Sequence, residues 1–215
     1  MNWVMRAFST SVGKKQVMAV TGLLFLLFLT THLLGNLSIY GGSGAFIDYA
    51  THLHALGKLL VVAEVGMAVA LLVHVLTAVL LFFENRRARP VRYAVDKSAG
   101  GRTLSSRTMP YTGLLILGFI GVHLATFSHH LVDQTTRNVF QIAVAVFSQK
   151  IYLAIYLLGV VLVAFHVRHG LWSALQTVGA NHPKYTPFID KLSLVFAVIV
   201  GIGFGSLPLV ILTMR

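Results

Sequence analysis

Five long apolar stretches, separated by polar segments, dominate this chain of 215 residues. They cover residues 17–37, 59–83, 112–131, 151–171 and 192–212. Each is close to the ~20 residues that an α-helix needs to cross the hydrocarbon core of a bilayer. The pattern therefore predicts an all-α fold in which a single domain, residues 1–215, forms an integral membrane bundle of five transmembrane helices.

The composition favours a membrane environment. Hydrophobic residues make up 56% of the chain and charged residues 11%, whereas soluble domains carry about 25% charged residues. The first apolar stretch follows basic residues, as in a signal peptide, but it is too long for the apolar part of one and lacks a small-residue cleavage pattern. We therefore expect a multi-pass protein that keeps this stretch as its first helix.

Basic residues are concentrated on one side of the predicted bundle. The formal net charge is +11, and 13 of the 17 Lys and Arg lie in the N-terminal segment, residues 84–109 and residues 168–191, with three, seven and three respectively. By the positive-inside rule the N-terminus and the loops 84–109 and 174–190 face the cytoplasm. The sequence thus predicts a cytoplasmic N-terminus and a C-terminus outside. Because the positive charge is concentrated on one side of the membrane, it indicates contact with anionic lipid rather than with nucleic acid.

Four of the ten histidines lie deep inside apolar stretches, one in each of the first four predicted helices. They are His32, His74, His123 and His166. Ionisable side chains in a membrane interior are costly, so each is a candidate for function.

The depths of these histidines follow from the predicted topology. Each lies 16 or 17 residues beyond the basic residue that precedes its helix, which corresponds to about 24 Å at 1.5 Å per residue. Because successive helices run in opposite directions, His32 and His123 share an outer level. His74 and His166 share an inner level.

Two facing histidines at each of two levels are typical of two haem groups stacked across a membrane. Haem iron takes two axial ligands, which imidazoles can supply from opposite faces of the ring inside an apolar bundle. Two alternatives stay open. A membrane histidine often serves as an interhelical hydrogen-bonding group, and four of them could form the proton relay of a proton-coupled transporter or channel. Zinc or copper is less favoured, since neither level offers carboxylate or sulfur ligands.

Four stretches resemble one known family. They are "SVGKKQVMAVTG" and "THLLGN" in the first helix, "HLHALGK" before the second, and "FHVRHGLWSALQTVG" across the end of the fourth. The chain resembles, over essentially its whole length, the membrane-anchor cytochrome b subunit of succinate dehydrogenases and fumarate reductases. The form it resembles is a single five-helix polypeptide with two haems b.

The resemblance implies a division of ligands. His32 and His123 would hold the distal haem b, and His74 and His166 the proximal one, as haem-iron ligands. It also implies electron exchange with a membrane quinone, for which the dihaem form favours menaquinone, in the inner (plasma) membrane of a prokaryote. A dihaem cytochrome b that serves another dehydrogenase, such as a hydrogenase, is an alternative.

The resemblance further implies two partner subunits on the cytoplasmic side. One is a flavoprotein with FAD, at which succinate and fumarate interconvert in the tricarboxylic acid cycle or in fumarate respiration. The other carries iron–sulfur clusters. This chain has no cysteine and so cannot itself supply thiolate ligands to a cluster. The dicarboxylate chemistry is therefore expected on the partners, and residues 84–109 and 177–187, the latter with His182, are candidates for docking them.

Arg168 and His169 lie two and three residues beyond His166, toward the cytoplasm. A proximal haem would be expected to point its propionates there, and a carboxylate favours a cationic or hydrogen-bonding neighbour. The alternative for Arg168 is that it reaches lipid headgroups.

The outer side carries a high density of titratable groups. Glu64 is the only acidic residue well inside an apolar stretch. It is accompanied on this side by Asn36, Tyr40, Asp48, His52, His54, His129 and His130. Quinone chemistry near the distal haem needs proton donors, and histidine exchanges protons near neutral pH. We expect Glu64 and His54 to be the catalytic members of this site.

One position departs from the family. Some members carry a glutamate two residues before the fourth haem ligand, where it is implicated in moving protons across the membrane. This chain has Ala164 at that position. The departure predicts that protons for the quinone come directly from the outside.

Overall fold

The computed structural model describes residues 9–88, 104–180 and 182–215. Within these residues the chain forms seven α-helices and no strand, which confirms the predicted all-α class. The helices are α1 (Ser11–Asn36), α2 (Ser43–His54), α3 (Lys58–Arg87), α4 (Leu104–Phe127), α5 (Val139–Phe147), α6 (Lys150–Thr177) and α7 (Thr186–Thr213).

Five of these helices, α1, α3, α4, α6 and α7, are long and apolar enough to cross a membrane. Large apolar side chains are exposed along all of them, among them Leu27, Val62, Leu114, Leu158 and Ile202. A soluble protein would hold such surface away from water, whereas acyl chains can cover it without cost. The predicted multi-pass membrane protein is therefore supported by both sequence and structure.

The bounds of the third long helix differ from those predicted. It begins at Leu104 and includes Pro110, whereas the apolar stretch begins at residue 112. It ends at Phe127, so the predicted extension to residue 131 is wrong. The amide of Leu131 donates to the carbonyl of Ser128 at 3.0 Å, which turns the chain away from the helix axis.

Two short helices and a 3-10 turn at Leu37–Gly41 were not predicted. With 12 residues in α2 and nine in α5, both are too short to span a bilayer. They cover one end of the bundle, where Phe46 of α2 and Phe147 of α5 pack with Leu207 and Ile211 of α7. We call this the capped end. A capping box between Asn138 and Gln141 begins α5.

The long helices pack in a ring that is closed weakly on one side. Helix α1 packs against α3 and α6, and α4 packs against α6, while α3 and α4 make only slight contact. Thus α1 lies diagonally opposite α4, and α3 lies diagonally opposite α6. Helix α7 packs outside this ring against α6 and α1.

The end away from the capped end holds the start of α1 and the end of α3. Lys14 and Glu84 form an ion pair that joins these two helices. Of the predicted docking segment 84–109, residues 89–103 lie outside the described residues, as does Asn181 of the second segment. The start of α1 and the end of α7 lie at opposite ends of the bundle, and which end faces the cytoplasm stays a prediction.

Candidate cofactor sites in the helix bundle

The first histidine pair lies across one diagonal of the ring. His32 of α1 and His123 of α4 have ring centroids 5.8 Å apart, with planes at 87°. The His32 ring stacks on Phe28, and the His123 ring contacts Phe127, which packs near the capped end. Both rings are half-buried. The structure therefore brings together the two residues that were predicted to share the outer level.

The second pair lies across the other diagonal. His74 of α3 contacts Thr21 of α1, and His166 of α6 contacts Thr112 of α4. Each faces a glycine on a neighbouring helix: a Cβ on Gly22 would lie 3.7 Å from Cε1 of His74, and one on Gly113 would lie 3.4 Å from Cε1 of His166. The absence of side chains at these two glycines leaves room for the imidazole rings.

The two pairs occupy different levels. Thr21 contacts His74 and Thr112 contacts His166, and each threonine precedes the first-pair histidine of its own helix by 11 residues. Eleven residues of α-helix span about 16 Å. The two histidine pairs are thus separated by that distance along the bundle. The sequence predicted two levels but not the distance between them.

A hydroxyl group faces Nδ1 in both members of the second pair. The Thr21 hydroxyl lies 2.9 Å from Nδ1 of His74 and donates to the carbonyl of Val17 at 2.8 Å. The Thr112 hydroxyl lies 3.2 Å from Nδ1 of His166 and donates to the Thr108 carbonyl at 3.1 Å. Because each hydroxyl hydrogen is used in its own helix, the oxygen accepts from Nδ1–H. This assignment leaves the Nε2 lone pair of each ring for a metal.

A third hydroxyl lies next to the first pair. The Tyr156 hydroxyl is 3.4 Å from Nδ1 of His123 and is also hydrogen-bonded to Thr126. The Thr126 hydroxyl in turn donates to the Val122 carbonyl at 2.9 Å. Tyr156 itself packs in the apolar core at the capped end. The first pair therefore has a hydroxyl network that resembles the threonines of the second pair.

These residues fit bis-histidine haem. Metal–imidazole bonds of about 2 Å place two ring centroids about 6 Å apart across an iron, and the His32–His123 separation is 5.8 Å. Among the residues the structure describes, no third His, Cys, Asp or Glu joins either pair as a metal ligand. Two imidazoles suit an iron whose other ligands come from a macrocycle, whereas zinc needs three or four protein ligands.

Sequence reasoning missed Thr21, Thr112, Gly22 and Gly113. One sequence pattern could have identified them. The sequence Thr-Gly-Leu-Leu occurs at residues 21–24 and again at 112–115, and in both cases its threonine lies 11 residues before a histidine of the same helix. Two other glycines of the long helices face aromatic rings. Tyr49 fills the space beside Gly35, and Phe119 that beside Gly159.

Arg168 and His169 have protein neighbours at the other end of α6. Nη2 of Arg168 lies 4.0 Å from Oδ1 of Asp190 on α7, with about a third of its side chain exposed. The His169 ring packs beside Trp172, with centroids 5.6 Å apart. Asp190 is thus a further partner for Arg168, and the haem-propionate role of both residues stays a prediction.

At the capped end, two histidines lie beside Glu64, and a third histidine lies beside one of them. Oε2 of Glu64 lies 3.0 Å from Nε2 of His130, and Oε1 of Glu64 lies 3.6 Å from Nδ1 of His129. The rings of His54 and His129 have centroids 4.9 Å apart. We call these four residues the Glu64 cluster. It contains both residues predicted to exchange protons with quinone.

The other polar residues predicted near this site point elsewhere. The Asn36 amide donates to the His32 carbonyl at 2.8 Å, and the Tyr40 hydroxyl donates to Ser206 at 2.8 Å. Nδ1 of His52 bonds to the backbone carbonyl of Asp48 at 2.7 Å. Only part of the expected group of titratable side chains therefore forms a cluster.

The charge state of His54 is set by its surroundings. Burial lowers the pKa of His54 from the usual 6.5, and the neighbouring His129 lowers it further, while the Glu64 carboxylate opposes both effects. The imidazole is therefore mainly neutral at pH 7, the form that can accept a proton.

Ala164 lies at a close contact between helices. A Cβ on Gly201 of α7 would lie 3.4 Å from the Cβ of Ala164. The small pair lets α6 and α7 approach each other. A glutamate, which some members of the resembled family carry at this position, would need space that α7 occupies here.

The chain matches no family model, no curated protein and no solved structure. A proposal for its function is therefore supported by the geometry of its own residues and by the sequence resemblance.

Proposed function

We propose that this chain is a dihaem cytochrome b that anchors a succinate dehydrogenase or fumarate reductase and exchanges electrons with membrane quinone. One observation carries the cytochrome part of the proposal: His32 and His123 on one diagonal, and His74 and His166 on helices of the other diagonal, lie at two levels of an apolar bundle. The succinate and fumarate part is supported by the sequence resemblance alone.

His32 and His123 would hold the distal haem, and His74 and His166 the proximal haem. When bound, the two haems would pass single electrons between an iron–sulfur partner and the quinone. Thr21 and Thr112 accept from Nδ1–H of the inner histidines, which fixes the ring orientation and raises the basicity of Nε2. The apolar side chains of the long helices keep water away from these rings.

The quinone would react beside the Glu64 cluster. Reduction of a quinone takes up two protons, and Glu64 and His54 offer one carboxylate and one neutral imidazole at the same end of the bundle as the distal pair. Position 164 is an alanine in close contact with α7, so the chain has no relay glutamate there. Protons would therefore be exchanged with the solvent at the capped end. The resemblance favours menaquinone.

The partners would dock at the end away from the capped end. They are a flavoprotein with FAD and an iron–sulfur subunit, on the cytoplasmic side of a prokaryotic inner membrane. The segments 84–109 and 177–187 connect long helices at that end and supply basic residues. Arg168 and His169 lie close to the same end of α6, where they would face haem propionates.

The alternative of a histidine proton relay receives less support from the geometry. A relay needs proton-exchanging groups within hydrogen-bonding reach of each other along the path. The two pairs are separated by about 16 Å along the helices, and apolar residues such as Leu26 and Phe25 occupy the intervening turns of α1.

Affinity purification of the full chain from its native membrane tests the enzyme assignment. We expect a flavoprotein and an iron–sulfur subunit to co-purify, and succinate to reduce the haem in the purified complex. Co-purification of a hydrogenase or another dehydrogenase, with no response to succinate, would reassign the cytochrome to that enzyme. A chain that purifies with neither haem nor partners would favour the relay hypothesis.

A further inference from the structure

The Glu64 cluster has the chemistry of a metal site distinct from the haem ligands. Glu64 lies in the second turn of α3, and His129 and His130 lie in the turn after α4. One ligand atom from each of the three lies within 4.8 Å of the others. We propose that Glu64, His129 and His130 bind a divalent transition-metal ion, with zinc the best fit.

The distances suit a tetrahedral ion. Zinc bonds of about 2.1 Å place two ligand atoms about 3.4 Å apart. Here Oε2 of Glu64 lies 3.0 Å from Nε2 of His130, and the other carboxylate oxygen, Oε1, lies 3.6 Å from Nδ1 of His129. These two distances lie on either side of the tetrahedral value, and one ligand atom from each of the three residues lies within 4.8 Å of the others.

The backbone after α4 holds the two histidines side by side. The Ser128 carbonyl accepts from the amide of Val132 at 2.8 Å, and the Ser128 hydroxyl oxygen accepts from the amide of His130 at 3.3 Å. The resulting turn places the rings of His129 and His130 only 3.9 Å apart between centroids. Both therefore face Glu64 without a change of helix packing.

The ligand types favour zinc over other divalent ions. Magnesium and calcium prefer sets made only of oxygen atoms, whereas two imidazoles and one carboxylate are a zinc set with a fourth position left open. The His54 ring, 4.9 Å from that of His129, lies beside the site and offers a further nitrogen. Partial exposure of His129 and His130 gives an ion a path from solvent.

The site has a regulatory consequence that rests on the proposed function. Glu64 is also the residue proposed to exchange protons with quinone. A zinc ion would compete with protons for the carboxylate and for both imidazoles, because these groups bind the metal in their deprotonated forms. Zinc binding should therefore slow electron exchange with quinone, and a chelator should restore it.

Zinc binding to the full-length chain, purified through an affinity tag without histidine, tests the site directly. After treatment with chelator, equilibrium dialysis against micromolar zinc should give one ion per chain. X-ray absorption at the zinc edge should show two imidazole ligands. No zinc bound to the wild-type protein, or a spectrum without imidazole, would overturn the proposal.

Two variants and a matched control locate the site. Glu64→Gln keeps the shape of the side chain and removes its charge, and His130→Ala removes one imidazole. Loss of a supporting residue costs about tenfold to 100-fold in metal affinity, so loss of a direct ligand should weaken zinc binding by at least that factor. His52→Ala, an exposed histidine of α2 outside the cluster, should bind zinc as the wild type does. Unchanged binding by Glu64→Gln would contradict the site.

The haem content of the same preparations separates this proposal from the function. Zinc binding without haem would keep the metal site and remove the cytochrome proposal. Haem without zinc binding would keep the cytochrome proposal and remove the metal site. Zinc that binds but leaves quinol-driven haem reduction unchanged would overturn the regulatory consequence.

Discussion

The Thr21 hydroxyl lies 2.9 Å from Nδ1 of His74 and joins α1 to α3 inside the bundle. The hydroxyl hydrogen is directed to the Val17 carbonyl, so the oxygen is an acceptor for the imidazole N–H. Thr112 and His166 repeat the relationship between α4 and α6. Each histidine of the second pair is thus oriented by a threonine from a neighbouring helix.

The change Thr21→Val should weaken the proximal haem site. Without an acceptor for Nδ1–H, the His74 ring is less well fixed and Nε2 is less basic, which costs about tenfold to 100-fold in metal affinity. A less basic ligand stabilises ferric iron less, so the midpoint potential of the proximal haem should rise. Potentiometric titration of the purified protein measures both the potential and the haem content.

Thr30→Val is the control for this change. The Thr30 hydroxyl donates to the Leu26 carbonyl of its own helix at 2.8 Å, in the same way that Thr21 bonds within α1. The control loses a comparable backbone contact and keeps the contact with His74. Equal effects of the two substitutions would show that Thr21 acts through helix α1 and not through the ligand.

The change Tyr156→Phe should act on the distal haem alone. It removes the hydroxyl that lies 3.4 Å from Nδ1 of His123 and keeps the ring that packs in the core. We expect a higher midpoint potential for the distal haem, for the same reason as with Thr21, and an unchanged proximal potential. A shift confined to the proximal haem would contradict the assignment of levels.

The change Gly113→Leu should disturb the His166 ring. A Cβ at this position already lies 3.4 Å from Cε1 of His166, and a longer side chain must displace the ring or the helix. The expected result is loss of one haem per chain. Gly118→Leu, at a glycine of the same helix beside open space, is the control and should keep both haems. Retention of both haems in Gly113→Leu would place the proximal haem elsewhere.

Cysteine labelling tests the predicted orientation, and the chain has no native cysteine to interfere. Gly44→Cys lies in α2 at the capped end, with open space around it, and Lys184→Cys is exposed near the other end. A maleimide that does not cross membranes should label Gly44→Cys in intact cells. It should label Lys184→Cys only after the membrane is opened. The opposite pattern would reverse the topology.

The histidine pairing was predictable because it depends on lengths that the sequence fixes. Basic residues mark where each helix begins, and 1.5 Å per residue converts spacing into depth. The five long helices were predictable for the same reason. The bounds of these helices were less predictable. Helix α4 begins at Leu104, in a polar segment before Pro110 that hydropathy alone does not assign to a helix.

The partners of the histidines could not be predicted from hydropathy. A helix such as α1 is apolar on all sides, so it has no polar stripe to show which face meets α3. Whether Thr21 or Thr30 faces His74 is decided by the rotation of α1, which only the packed structure supplies. The Glu64 cluster was predicted in part for a similar reason: α2 and the turn after α4 determine which histidines reach the carboxylate. Helix α2 was not predicted, and the turn after α4 was predicted as a continuation of the helix to residue 131.

Haem content and optical spectra of the wild-type protein and of His32→Ala and His74→Ala test whether each histidine pair holds a haem. Two haems b are expected per wild-type chain, with a low-spin reduced-minus-oxidised spectrum. Each variant should lose one haem, and the remaining haem should differ between the two variants in midpoint potential. A wild-type protein without haem, or two variants that lose the same haem, would contradict the account.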